Sequence, residues 1–558
     1  MELPKKINEA LVCRKEGNFL KAAEICRDIL IQAPNNTPVL SFLGLIYYEI
    51  REYKLAVKYL EKAYRNKPGE EIIKTLAFSY YHLGREVEAE KFLKLCIEFD
   101  KTPAIYNKLI SLMLCDETKY NEAYKYSSEL YKKYPFDMEN MINLSQICLY
   151  TGKFKESISI CERAFMLNPE YPRVWIQKGI LEEIFNCDDI KARKYFRKAL
   201  KLGDKENAYY NLCINYSHSD RKKSNYYGKL LIKQGYTRAY NKVMCIICMN
   251  YLAMKKVKPG YKYYLRRWDN TPDDGCLYIR VIKNTWKGGI YRNETLFILC
   301  DLGFGDKIMY IRYLPFAARM FKNIIVMCDD KLYKLFKRSY EYLENVEFLW
   351  ENKEPVYDKP CPATYLPAAL DMDFDNIPYS FGYLAVDKEK AEEYGKKYFH
   401  TSKLKVGLCW EAGSSELRRL YNRSIMFDDL EKLFILNKEV QYYSFQIKSV
   451  SADEGSLRSK NIIDLSKIIR DFDDTAALLK NIDVFITVDT SAAHLAGALG
   501  VKTFLFLPYF SEWRWFDNTD ATEWYNSVKI FKQSKKKSCS IEIERIYNEL
   551  NKILDKNL

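Results

Sequence analysis

Thr487-Val488-Asp489-Thr490-Ser491-Ala492-Ala493-His494-Leu495-Ala496-Gly497-Ala498-Leu499-Gly500 reads as the end of a buried strand, a hydroxyl-rich turn and a closely packed helix. Residues 484–488 are apolar apart from Thr487 and of strand length, and the Ala and Gly that follow let the helix lie tight against a sheet. The first N–H groups of such a helix have no partner within it. With the positive end of the helix dipole they form an anion site beyond the strand. Thr490 and Ser491 add hydroxyl donors, so a diphosphate suits this position. A capped helix with an inward His494 is the plainer reading of the same residues.

Working outward, buried strands are predicted over 406–410, 442–445 and 503–507, with helices over 473–481 and 491–499 between them. Earlier, the same alternation runs through strands at 296–300, 324–328 and 346–349 and helices at 307–321 and 331–340. Strand–helix alternation implies parallel sheets with helices on both faces, whose ligands bind at the carboxyl ends of the strands. Two successive series imply two Rossmann-like lobes with a cleft between them.

Two further stretches carry candidate chemistry. Leu299-Cys300-Asp301-Leu302-Gly303-Phe304-Gly305-Asp306 places two glycines after a strand and an Asp at the start of a helix. Gly303 and Gly305 permit a tight turn, and Asp306 serves either as a helix cap or as a carboxylate base held at the cleft. The third glycine of a dinucleotide fingerprint is missing, which argues against a nicotinamide enzyme. Residues 407–413 run from a strand into a polar loop with Arg418, Arg419, Arg423 and Ser424. Arginine forks bind phosphate oxygens bidentately, although a lone Arg in a loop is more often simply solvated.

The first half repeats. Pro34 and Pro68 are 34 apart, as are Pro135 and Pro169. Small residues recur at steps of 33 to 35 at Ala22, Ala56, Ala89, Ala123, Ser157 and Ala192. A third register runs Gly17, Arg51, Gly84, Thr118, Gly152 and Asn186, with Phe19, Tyr53, Tyr120 and Phe154 two residues after four of these. A period of 34 is one helix–turn–helix unit. Each unit cannot bury its own apolar face, so units stack into a solenoid. The expected organisation is a solenoid over 1–240, a connecting helix and linker over 241–275, one lobe over 276–400, a second over 401–535 and a terminal helix over 536–558.

Composition narrows the classes. The chain has 558 residues, 48% hydrophobic and 29% charged, which is globular. The net charge of +14 is spread over most helices, and nucleic-acid binding is not indicated because no basic-aromatic platform or finger motif occurs. Sixteen Cys are scattered along the chain, many at apolar helix positions, which suggests a reducing, cytoplasmic setting. No signal peptide or transmembrane segment is read.

Taken together, these stretches resemble a bacterial family that joins tetratricopeptide repeats to a domain similar to the lipopolysaccharide heptosyltransferases, glycosyltransferase family nine. The architecture is broadly similar to that of the O-GlcNAc transferases. The resemblance spans about residues 260–533 and includes Arg312-Tyr313-Leu314-Pro315, residues 471–478 and Trp513-Arg514-Trp515. It implies a GT-B fold and a nucleotide-diphosphate sugar as donor, with no cofactor or metal. Asp306 would be the catalytic base. Arg423, with Ser424 beside it, would neutralise the diphosphate, Asp489 would contact the sugar, and Thr490, Ser491 and Ala492 would donate to the diphosphate. Gln446 would belong to the nucleotide pocket, and His494 would face either the cleft or the core. The repeats imply a protein or peptide partner. The alternative is a non-catalytic scaffold with a silent transferase-like domain.

Overall fold

The structure, a computed structural model, describes residues 2–235, 240–269, 275–350, 354–413, 423–436, 438–447, 449, 451–517, 520–536 and 538–557. Residues 414–422, with Arg418 and Arg419, and most of the expected linker, 270–274, lie outside them. The chain divides into two compact units, Met1–Asn207 and Ala208–Leu558.

The first unit is a series of six helical pairs, such as Thr37–Glu49 with Tyr53–Asn66 and Met138–Tyr150 with Phe154–Leu167. Each sequence register has a visible cause. Ala22, Ala56, Ala89, Ala123, Ser157 and Ala192 are all fully buried, each in the second helix of its pair. Gly17, Arg51, Gly84 and Gly152 adopt positive φ in the turn inside a pair, which explains why three of the four are glycine. Pro34, Pro68, Pro135 and Pro169 stand two residues after the helices ending at Gln32, Asn66, Lys133 and Leu167. The aromatic register packs forward onto the next pair: Tyr53 stacks on His82 at 4.6 Å, Tyr120 meets Tyr150 at 5.0 Å and Phe154 meets Phe185 at 5.4 Å.

The helical pairs do not stop at the division. Lys205–Tyr216, Arg221–Lys233, Tyr240–Ala253 and Val257–Arg266 continue them, so residues 240–266 form a helical pair of their own. The last two of these lie in the second compact unit, where Cys248, Leu252, Tyr261 and Tyr264 share one apolar core with Leu296, Ile298 and Ile308. The Tyr261 hydroxyl donates to that of Tyr310 at 2.8 Å inside it.

Beyond them stand two parallel sheets. The first comprises β1 (Tyr291–Leu299), β2 (Phe321–Met327), β3 (Val346–Leu349) and β4 (Lys359–Pro362), in the order β3-β2-β1-β4. The second comprises β5 (Leu404–Cys409), β6 (Val440–Ser444), β7 (Ile462–Asp464), β8 (Val484–Val488), β9 (Thr503–Leu507) and β10 (Val528–Lys532), in the order β10-β9-β8-β5-β6-β7. Seven of the ten strands coincide with the sequence reading. The other three are edge strands: β4 carries two prolines, which a central strand would not tolerate, β7 is three residues long, and β10 has Lys at both 529 and 532. The helix expected over 307–321 is split into Phe304–Tyr310, a 3-10 turn and Leu314–Ala318, with Pro315 opening the last piece. The terminal helix, Ser540–Asn557, belongs to the second sheet, where Ile543, Ile546 and Leu550 join Val406, Leu433 and Phe531 in one core.

Two motifs of the sequence reading do structural work. Arg312 is fully buried: it donates to the Met309 and Trp524 carbonyls at 2.9 Å and to the Tyr383 hydroxyl at 3.1 Å, and it lies against the rings of Tyr383, Trp524 and Tyr525. Backbone carbonyls and π-faces thus surround the cation. Asp473 and Asp474 pair with Arg338 and Lys390, tying the helix Phe472–Leu479 to Asp330–Ser339 and Lys388–Tyr398.

Candidate functional site

Strand order dictates where a site can form. In the first sheet the chain runs from β1 outward through β2 to β3 and then crosses back to β4 on the other side of β1. In the second sheet β5 leads to β6 and β7 on one side, while β8, β9 and β10 lie on the other. Such switch points leave a crevice beyond the strand ends. A cavity of about 900 Å³ is lined by residues from both: Gly303, Gly305 and Asp306 after β1 and Thr364 after β4, then Ala412, Gly413 and Arg423 after β5 and Asp489, Thr490 and Ser491 after β8. The loop after β9 adds Glu512 and Arg514, and the last helical pairs add His218, Cys245 and Met249.

Eight sequence-predicted residues are therefore brought together: Gly303, Gly305, Asp306, Arg423, Asp489, Thr490, Ser491 and His494. Ala492 follows them, half-buried, in the helix Ser491–Ala498. Thr490 stands at the N-cap of that helix in extended backbone, and its side chain makes no capping hydrogen bond. Ser424 and Gln446 do not line the cavity. The Gln446 carboxamide oxygen accepts from the Trp410 and Glu411 amides at 3.1 and 2.9 Å, and its nitrogen donates to the Glu411 carbonyl at 3.2 Å. The Ser424 hydroxyl accepts from the Ala412 amide at 3.1 Å. Both side chains hold the β5 loop in shape.

Asp306 is buried and meets Arg514 as a fork. Nε donates to Oδ1 at 2.8 Å and Nη2 to Oδ2 at 2.9 Å. Arg514 also donates to Glu512 at 3.3 Å. Burial works against the Arg514 cation, but Asp306, Glu512 and Asp489 outweigh it and hold it above the ordinary arginine value. Burial pushes the Asp489 carboxyl up, Glu512 adds to this, and Arg514 and Arg423 pull it back. His494 lies in the core at the cavity wall. Its Nδ1 and the Tyr525 hydroxyl share a hydrogen bond at 3.0 Å, and its ring stacks on Trp515 at 4.9 Å and 15°. Burial and then Arg514, Arg312 and Arg423 push it well below the usual histidine range, so the ring is neutral.

The sequence reading gave Arg514 no role, although it quoted the Trp-Arg-Trp motif, and it did not single out Asp301. The Asp301 carboxylate is buried beside the cavity. It accepts from the Tyr264 hydroxyl and from the Thr364 amide and hydroxyl, at 3.1 and 2.8 Å for the last two. This joins β1, β4 and the helix Val257–Arg266. Nothing local in the sequence announces such a tie, because its partners lie 37 and 63 residues away.

Fold and site thus define a class: a helical-repeat protein whose last helical pairs merge with two parallel-sheet lobes around one cavity. Residues 38–70 and 139–171 match the tetratricopeptide repeat family, so the chain carries tetratricopeptide repeats. Among solved structures, the C-terminal part of a TPR repeat-containing protein from Cytophaga hutchinsonii is similar at 16% identity over 43% of this chain and 99% of its own, with a TM-score of 0.30. A tetratricopeptide repeat protein from Parabacteroides merdae is similar at 12% identity over 50% and 95%, with a TM-score of 0.29. Yeast Tom70 is similar at 14% identity over 51% and 64%, with a TM-score of 0.34. No curated protein matches the chain. Among the described residues, no helix is long and apolar enough to cross a membrane.

Proposed function

We propose that the second unit is a glycosyltransferase of the GT-B kind, which moves a sugar from a nucleoside-diphosphate donor to an acceptor hydroxyl on a protein or surface glycan. The tetratricopeptide repeats are protein-interaction elements, and in this reading they recruit the acceptor or a partner. One observation carries the proposal: a carboxylate from one switch point, Asp306, shares a cavity with a cation and an open helix N-terminus from the other, Arg423 and Thr490–Ser491. Acid–base and anion-binding groups that converge from two sheets suit a reaction in which a proton is taken at one end and a phosphate leaves at the other.

In the proposed step the acceptor oxygen forms a bond to the anomeric carbon as the bond from that carbon to the diphosphate oxygen breaks. The acceptor proton goes to Asp306, and the electron pair of the broken bond goes to the diphosphate. Arg423 and the N–H groups at the start of the helix Ser491–Ala498 meet the charge that develops there. In this reading Asp489, buried at the same wall, holds a sugar hydroxyl.

A second reading has its own support. Both oxygens of Asp306 are engaged by Arg514, which also suits a silent domain whose carboxylate has become structural. A melting-temperature screen against UDP-, GDP-, ADP- and CMP-linked sugars, with Arg423→Ala as control, tests the choice. Stabilisation by one donor that weakens in the variant supports the transferase. Absence of any shift in well-folded protein favours the interaction protein with a silent domain.

A further inference from the structure

Arg514 reaches Asp306 from a single 3-10 turn, Trp513–Trp515. The turn is fixed on both sides. The Trp524 indole N–H donates to the Arg514 carbonyl at 2.6 Å, and the fully buried Trp515 ring lies parallel to His494. His494 also meets the turn that bears Asp306: a Cβ added at Gly305 would stand 2.7 Å from His494 Cδ2. His494 therefore touches both the Gly305 turn and the Trp515 ring. Asp306 follows Gly305 in sequence, and Arg514 precedes Trp515.

We propose that Arg514 is the positioning residue of Asp306 in the transfer reaction, with His494 as the spacer that sets their separation. This rests on the transferase reading above. An aspartate carboxyl turns readily about its last torsion, so a base at that position needs an external hold. The guanidinium meets Oδ1 with Nε at 2.8 Å and Nη2 at 2.7 Å and meets Oδ2 with Nη2 alone at 2.9 Å, which fixes the carboxylate plane and leaves Oδ2 the freer oxygen for an acceptor hydroxyl. A lysine supplies the same charge as a point and cannot fix a plane. These two contacts give His494 a mechanical task, and the short distance to a Cβ explains why a glycine, not an alanine, precedes Asp306.

The test compares Arg514→Lys, Asp306→Asn and the double variant, in the full chain, by nucleotide release from whichever donor gives the largest melting shift. Arg514→Lys keeps the charge and is chosen because Arg514→Ala risks unfolding. The expected result is a donor Kd within about threefold of wild type and a kcat lowered about 100-fold, the scale of a misplaced catalytic group. Adding Asp306→Asn should cost little more, because the two residues act as a unit. Unchanged turnover in Arg514→Lys overturns the proposal. So do losses that multiply in the double variant, or a loss confined to donor affinity, which would make Arg514 a donor ligand. Folded wild-type protein that releases nucleotide from no donor overturns the transferase reading itself, a result distinct from an active wild type with an indifferent variant.

Discussion

Arg514 and Asp306 stand 208 residues apart in the chain and form a two-bonded fork between the loop after β9 and the turn after β1. The pair is largely shielded from solvent, with side-chain exposures of 19% and 8%. Removing the cation strands a buried carboxylate. Arg514→Ala is expected to lose about 3 kcal/mol of stability, the scale for breaking a buried pair from one side. Asp306→Asn in the same chain should recover part of it. Denaturant unfolding of the three variants measures both effects, and additive losses would show that the two residues do not interact.

Gly305→Ala adds a methyl group 2.7 Å from His494 Cδ2, so the imidazole, held by Trp515 and Tyr525, has to shift. The expected cost is about 1–3 kcal/mol from overpacking. A melting temperature equal to that of wild type would mean that the His494 stack yields more easily than its geometry implies.

His494 also fixes a pH dependence. Its folded value lies well below that of the unfolded chain, driven first by burial and then by three arginines. Below about pH 6.5 the unfolded chain takes up a proton that the folded chain refuses, so stability falls as pH falls, by up to about 1.4 kcal/mol per unit. His494→Phe keeps an aromatic ring and removes the titration. The stability advantage of wild type over this variant should shrink between pH 7.5 and pH 5.5, and a constant difference would contradict a buried neutral histidine.

In the repeats, a Cβ at Gly179 would stand 2.3 Å from Phe196 Cε1, where the helices Pro172–Leu181 and Asp189–Lys201 cross. Gly179→Ala should destabilise the first unit by about 1–3 kcal/mol. Phe196→Leu, which shortens the ring side, should relieve part of that loss. Circular-dichroism melts of the single and double variants test the coupling, and strict additivity would refute the contact.

The regular features were legible because they repeat or run locally. Ala22 through Ala192 recur once per helical pair, since every pair poses the same packing problem. The β8 turn and its helix could be read from fourteen consecutive residues, because strand burial, hydroxyl donors and a small-residue helix are neighbours in sequence. The edge strands β4, β7 and β10 were not legible. At an edge the partner strand supplies the pairing, and the local residues, such as Pro360 and Pro362, need not favour it.

The sequence by itself determined the solenoid, the two parallel-sheet series and the positions of Asp306, Arg423 and Asp489–Ser491, because periodicity and strand-end chemistry are properties of short stretches. The tertiary structure alone decided that Asp306 is held by Arg514, that His494 is buried against Trp515 and Tyr525 and that Gln446 clamps a loop. It alone decided that the last helical pair, residues 240–266, shares a core with β1. Each of these depends on which distant residue the folded chain delivers to a given atom, and that delivery follows from strand order and helix packing across the whole second unit.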